Sequence, residues 1–369
     1  MAADVAAQMM RPPRPSVGPI GWLRANLFSS WGNTLLTVFG LWLIYSVVTG
    51  VLEWAVVSAV WTGEDGRACS VPGAGACWPF ITAKFSQFMY GRYPDAERWR
   101  VDLTYILALA GLVPLMMPSI PGKKWSALYT VAVFPVIAYW LLTGGIFGLP
   151  VVETQYWGGL LVTLVVASTG IAASFPLGIL LALGRRSQMP FARWVSIGFI
   201  EFVRGVPLIT VLFMASVMLP LFLPEGVSFD KLLRALVGVA LFSAAYMAEV
   251  IRGGLQAIPR GQYEAAEALG LPYGKMMALV VLPQALKIVI PGIVNTFIGL
   301  FKDTSLVLII GIFDLLGIVQ LNLADAKWFA PTTAVTGYAF AGLIFWSFCF
   351  GMSRYSLYIE RRLAAGEKR

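Results

Sequence analysis

Eight stretches of this 369-residue chain are apolar for about 20 residues or more, the length a helix needs to cross a bilayer core. The first runs from Leu35 to about Val60. The others fall near 102–120, 126–148, 157–184, 190–222, 232–251, 290–318 and 337–358. Backbone groups in lipid must be satisfied within their own segment, so such a chain folds as helices. The expected fold class is therefore an all-α polytopic membrane protein with about eight transmembrane helices. Composition agrees: 58% of residues are apolar and 12% charged, against about 45–50% and about 25% in a soluble chain.

The same composition narrows the chemistry. Histidine is absent, which removes imidazole bases, His metal ligands and His-containing triads. Three cysteines are too few for a Cys-rich metal centre. No catalytic residue and no metal site is expected. The net charge of +8 is spread over short loops and forms no basic face for nucleic acid.

Charge placement sets topology. With a cytoplasmic N-terminus, seventeen of the 27 basic residues fall inside, from Arg11, Arg14 and Arg24 to Lys368 and Arg369. Eight fall outside, and Arg67, Lys84, Arg92, Arg98 and Arg100 of these share one long loop. Arg204 and Lys302 remain within spans. The expected arrangement is multi-pass with both termini cytoplasmic. No apolar h-region with a small-residue cleavage site follows the start, so no signal peptide is expected.

The long loop, about 61–101, carries Cys69 and Cys77 around the flexible run Val71-Pro-Gly-Ala-Gly-Ala. In an oxidising periplasm they form a small disulfide-closed loop, or they stand as two free thiols. Cys349, inside the last span, reads as packing. Trp31, Trp61, Trp125, Trp157 and Trp328 near span ends read as interfacial anchors.

Between the sixth and seventh spans, about 252–289, the chain turns polar. Pro259 and Gly261 break it, a short helix fits Gln262–Leu269, and Gly270 and Pro272 stop that helix. Glu264, Ala265, Ala266, Glu267 and Ala268 give it a strongly helical, smooth surface with carboxylates in the early turns. A second helical piece fits Tyr273–Leu286.

Glu264-Ala-Ala followed by Gly270 and Leu282-Pro-Gln-Ala285 resembles the EAA motif of permease subunits of binding-protein-dependent ABC importers. Arg204-Gly-Val-Pro-Leu208, Ala245-Tyr-Met-Ala-Glu249, Arg252-Gly-Gly-Leu-Gln-Ala-Ile-Pro259 and Lys302-Asp-Thr-Ser-Leu306 are similar to its polar-amino-acid branch, where Val206 departs from the usual threonine. The resemblance covers about 155–360. Asn26-Leu-Phe-Ser-Ser-Trp-Gly-Asn33, Gly75-Ala-Cys-Trp78 and Gly91-Arg-Tyr-Pro94 resemble the M-type permeases of general L-amino-acid uptake, with systems for glutamate, glutamine, aspartate and asparagine similar as well.

The resemblance implies a cytoplasmic basic tail (1–33), a three-helix extension (34–150) with periplasmic loop 61–101, a type I importer core of five helices (155–360) with coupling loop 252–289, and a cytoplasmic tail (361–369). It implies a subunit of the bacterial inner membrane that moves L-amino acids into the cytoplasm by alternating access, over a broad range or over acidic amino acids and their amides only. Glu264, Ala265, Ala266, Glu267 and Gly270 would dock in the ATPase. No GxxxxGK[ST] loop is present, so this chain binds no cofactor, and ATP and Mg belong to a partner ATPase dimer. A second homologous permease subunit and a periplasmic substrate-binding protein complete the implied partners.

Charges within spans are costly and normally face a cavity or a partner. Arg204 reads as mid-way along the fifth span and Lys302 as mid-way along the seventh. Either they meet a substrate carboxylate, with Asp303, Thr304 and Ser305 on the same pathway, or they pair with Glu201 and Asp303. Two positives against two negatives favour pairing. Gly205 and Pro207 loosen the fifth span and Thr304 and Ser305 the seventh. Glu249 and Arg252, three apart, read as anchoring the coupling loop.

Overall fold

The computed structural model describes residues 18–117, 119–224, 226–227 and 229–367. The expectations for Arg11, Arg14, Lys368 and Arg369 lie outside the described residues. Helix is the only extended secondary structure among them. Among the described residues seven helices are long and apolar enough to cross a membrane, and eight if one bent pair counts as a span.

The chain divides into two compact units, residues 1–79 with 330–332, and 80–329 with 333–369. In the first unit, α1 (Gly18–Asn26) precedes α2 (Trp31–Leu52), which Ser30 caps by accepting from the Asn33 amide. A π-helical turn extends α2 to Val57. No residue of α2 is buried, as suits a helix that is apolar on every side. A disulfide joins Cys69 and Cys77, with Cα atoms 5.6 Å apart. Around it Trp61 stacks on Trp78, and the Trp78 indole donates to the Ala55 carbonyl.

The second unit starts within α3 (Trp78–Tyr90) and continues through α4 (Arg98–Met116). Next comes α5 (Lys123–Leu128), joined by a π-helical turn to α6 (Phe134–Thr143). The later spans are α7 (Gly159–Arg185), α10 (Lys231–Ala257), α14 (Ile290–Asp303, prolonged to Ile310 as a 3-10 helix) and α16 (Thr333–Glu367). Between α7 and α10 the expected fifth span is two pieces, α8 (Pro190–Gly205) and α9 (Leu208–Phe213, prolonged to Phe222), meeting at 106°. Pro207 lacks an amide proton and pushes Val206 into extended geometry, so the helix stops there.

The polar stretch forms α11 (Arg260–Ala268) and then α12 (Tyr273–Met276), which runs through a π-helical turn into α13 (Leu282–Ile288). The expected loop boundary at 252 moves: α10 continues unbroken to Ala257, because Ile251, Gly254 and Leu255 are still buried against the bundle and the first breaker is Pro259. The expected seventh span also shortens. Gly311, in left-handed geometry at φ +71, ends it, and α15 (Leu315–Leu323) starts afresh with Asp314 as its cap.

At one end of this unit, three segments meet backbone to backbone. The Gly159 amide donates to the Phe313 carbonyl and the Arg92 amide to the Tyr156 carbonyl. Gly91 and Gly158 touch so closely that a Cβ on Gly91 would come within 2.3 Å of the Gly158 Cα. Arg100, fully buried, fixes the neighbouring loop: it donates to the Pro150 carbonyl, meets Glu97 at 3.0 Å and lies over the Tyr93 ring. Trp157 and Trp328, expected as interfacial anchors, are buried packing residues, whereas Trp31, Trp61 and Trp125 are exposed.

Lys84 of α3 donates to Asp325 at 2.6 Å, and Phe80 packs beside Trp328. This hydrogen bond holds the Asp325 carboxyl below the usual carboxylate range. A depressed carboxyl contributes stability above its unfolded pKa and loses it as pH falls through the folded value. Lys84→Met should therefore cost up to about 1 kcal/mol at neutral pH. The difference from the parent, read by thermal unfolding in detergent, should close below about pH 4. A difference that is constant with pH would mean that Lys84 acts through packing.

Candidate functional site

The EAA residues lie on α11. Pro259 and Gly270 bound it: Gly270 takes φ +73, and the Leu271 amide returns to the Ala266 carbonyl while the Gly270 amide bonds the Glu267 carbonyl. That double closure is how a helix ends on a left-handed glycine. The five motif residues then separate by face. Ala266 is 2% exposed and packs with Ile258, Met276, Met277 and Val281. Glu264, Ala265, Glu267 and Gly270 are exposed. A smooth, acidic outer face is thus pinned by one small inward side chain.

Three polar ties hold α11 against the bundle. The Tyr263 hydroxyl donates to the Leu255 carbonyl, Arg186 donates to the Tyr263 oxygen, and Gln284 donates to Gln262 at 3.0 Å. Beside α11 a cleft of about 410 Å³ is edged by Arg186, Gln256, Arg260, Glu264 and Glu267. Its rim therefore alternates basic and acidic groups.

The same unit holds an ion cluster of which the sequence displayed only the Glu249–Arg252 pair. Glu249 of α10 faces three guanidinium groups: Arg252 at 2.9 Å, Arg185 at 3.0 Å and Arg204 at 3.5 Å. Arg185 also meets Glu201 at 2.8 Å. Arg185 closes α7, Glu201 and Arg204 close α8, and Glu249 and Arg252 lie in the last turns of α10. One carboxylate therefore clamps three helix ends.

Two expectations change here. Arg204 is not mid-way along a span; it is the penultimate residue of α8, at the level where α7 ends. Its partner is Glu249 rather than Glu201, since Glu201 turns to Arg185. Lys302 and Asp303 form no ion pair with each other among the described residues. Thr304 is buried and donates to the Phe301 carbonyl of its own turn, and Ser305 donates to the Lys302 carbonyl. Among the described residues no hydrogen bond or ion pair joins Arg204 to residues 302–305. Direct bonds therefore do not tie Arg204 to the other four expected pathway residues. The expected Glu249–Arg252 pair is present, and the missing part of the cluster, Arg185, had read only as a topology marker.

Residues 174–365 match the family described as binding-protein-dependent transport system inner membrane component. The match takes in α8 to α16 with the EAA helix and the whole ion cluster. The chain belongs to this permease family. It is 55% identical to the inner membrane amino-acid ABC transporter permease YhdY of Escherichia coli K12, over 97% of this chain and 98% of that protein. It is 42% identical to the glutamate/glutamine/aspartate/asparagine transport system permease BztC of Rhodobacter capsulatus, over 96% of each. To the glutamate/aspartate import permease GltK of Escherichia coli O6:H1 it is 32% identical, over 56% of this chain and 92% of that one.

The permease thus carries a clamp whose acceptor is a single carboxylate, 16% exposed. Removing one partner of a desolvated pair costs more than removing an exposed one. Glu249→Gln should destabilise the permease by about 2–4 kcal/mol, because Arg204 and Arg252 then face a neutral acceptor while Arg185 keeps Glu201. Glu201→Gln, more than half exposed, should cost under about 1 kcal/mol. Thermal unfolding of the two variants in detergent ranks them; equal losses would remove Glu249 as the hub.

Proposed function

We propose that this permease imports L-amino acids from periplasm to cytoplasm by alternating access, driven by a separate ATPase dimer that docks on the outer face of α11. The observation that carries this reading is the division of the EAA helix: Ala266 is buried in the bundle while Glu264, Ala265, Glu267 and Gly270 stay open. A docked partner would press on a helix that is already keyed into the spans. ATP and Mg belong to that partner, and this chain contributes carboxylates to the contact.

The remaining parts of the reading follow from the same family. Both termini are cytoplasmic, which places α11 and the Glu249 cluster on the ATPase side. A periplasmic substrate-binding protein delivers the amino acid, and a second, homologous permease subunit completes the pathway as a heterodimer. Residues 155–360 form the transport core and 34–150 an added extension. In support, GltK matches only 56% of this chain with 92% of its own length, so a permease of this family needs little more than half of these residues. Substrates span a broad range of L-amino acids. The similarity to BztC favours a second reading, restricted to acidic amino acids and their amides.

The test is uptake into vesicles holding the permease, its partner subunits and the binding protein. Uptake should require the ATPase subunit, and Glu264→Lys should reduce it by at least about tenfold by placing a cation where the docking face is acidic. Uptake that persists without the ATPase would refute the coupled reading. Competition by neutral amino acids separates the broad range from the acidic one.

A further inference from the structure

The helix α8 is amphipathic in an unusual way, with three faces rather than two. At about 100° per residue, Ser196, Ile200 and Val203 fall on one side, and all three are buried. Phe191, Trp194, Val195, Gly198 and Phe202 fall about two-fifths of a turn away, nearly opposite. Their large side chains are exposed, Phe191 at 82%, Trp194 at 73% and Phe202 at 65%. Arg193, Glu201 and Arg204 fall on the remaining third, and all three are exposed.

The direction of α8 follows from its neighbours. The piece after the bend runs antiparallel to α10: Ser216 accepts from Arg234, Ala215 and Val211 pack on Gly238, and just before the bend Arg204 reaches Glu249. That ladder descends α10 step by step, so α9 and its extension run along the span. At 106° to it, α8 runs across the spans. Its contacts confirm this. Ser196 packs on Gly184, where a Cβ would come within 2.2 Å of its Oγ, and Glu201 meets Arg185. Five residues of progress along α8 thus correspond to one residue of α7. The helix stays at the level where α7 ends.

We infer that α8 lies flat in the membrane surface at the Arg185 end of the bundle, with its aromatic stripe sunk in the boundary between lipid headgroups and acyl chains. Each face then has its natural medium. Ser196, Ile200 and Val203 meet the bundle, Phe191, Trp194, Val195 and Phe202 meet lipid, and Arg193 meets water and anionic headgroups. Charge suits this occupant: Glu201 and Glu249 offset Arg185 and Arg204, which leaves Arg186 and Arg193 as positive charge on the helix and its approach, and basic residues at a surface attract anionic lipid. A helix that crossed the bilayer would place the exposed Arg193 and Glu201 within it at a cost of several kcal/mol. The inference rests on α7 and α10 as spans and is independent of which side of the membrane is cytoplasmic.

The experiment uses the full permease with its partner subunits in vesicles of phosphatidylcholine and phosphatidylglycerol. Cys349→Ser removes the free thiol, and single cysteines replace Phe191, Arg193, Val195 or Phe202 for nitroxide labelling. Relaxation by oxygen and by a water-soluble nickel chelate gives the depth of each label. Labels at 191, 195 and 202 should be oxygen-accessible and lie at one shallow depth, and the label at 193 should be chelate-accessible. Depths that change steadily by about 16 Å from 191 to 202 would make α8 part of a span and overturn the inference. Low accessibility to both reagents at 191, 195 and 202 would mean that protein covers the stripe, and would overturn it equally. Retained uptake in each variant shows that it is folded. Loss of ATPase-dependent uptake in the unlabelled parent would strike the proposed function and leave the depth result standing.

Discussion

The close approach of α7 and α10 is the contact on which the second unit depends. Lipid tails are as apolar as leucine, so spans gain little from hydrophobicity and must gain from tight packing. Glycines permit it. Gly178 lies where a Cβ would come within 2.6 Å of Met247, and at Gly170 one would press Leu300 and Val239 at 3.1 Å. Alanines 240, 244, 245 and 248 line the opposing helix and are all buried. With bulkier residues the helices would separate, and Glu249 would no longer reach Arg185. The ion clamp is a consequence of the glycine seam.

From that seam a continuous apolar cluster reaches α11. Ala182 of α7, Ile200 of α8, and Met247, Ile251 and Leu255 of α10 pack with Ile258, Ala266, Met276 and Val281. Protein interiors are dense and transmit displacement rather than absorb it. A load on α11 therefore reaches the ends of three helices through one packed body, and the Glu249 carboxylate ties the same three ends electrostatically. Gly254, whose Cβ would lie 2.6 Å from the Ala285 carbonyl, also brings α13 into contact with α10. Both helical arms of the polar stretch are thus braced against the same span.

How much of this was legible beforehand follows from what sequence encodes locally. Span positions were readable because hydropathy summed over about 20 residues overrides any single substitution. The helix expected over 262–269 and found over 260–268, with its glycine stop, was readable because capping and helix-breaking residues act within one turn. The bend after Gly205 was signalled by Pro207, but its size was not: a proline stops a helix and leaves the new direction to tertiary contacts. Arg204 was misplaced for the same reason, since counting residues along an assumed straight span put it at the centre. Trp157 and Trp328 were misread because a span-end tryptophan looks alike whether it faces headgroups or packs beneath a loop. The three arginines around Glu249 come from residues 185, 204 and 252, and no local pattern announces a partner 64 positions away.

The bend and the clamp also explain one another. A helix lying across the ends of its neighbours has few backbone partners among them, since its own hydrogen bonds are internal. Side chains must fix it. Ser196 against Gly184 sets its distance from α7, Glu201 meets Arg185, and Arg204 fixes its far end by sharing Glu249. Replacing Pro207 by a residue that continues the helix would not straighten α8 into a span, because Glu201 and Arg204 would have to leave their partners. The break in the backbone and the charge pairing are two statements of one geometry, which is why Glu201 and Arg204, the charges that pair with α7 and α10, lie just before the turn.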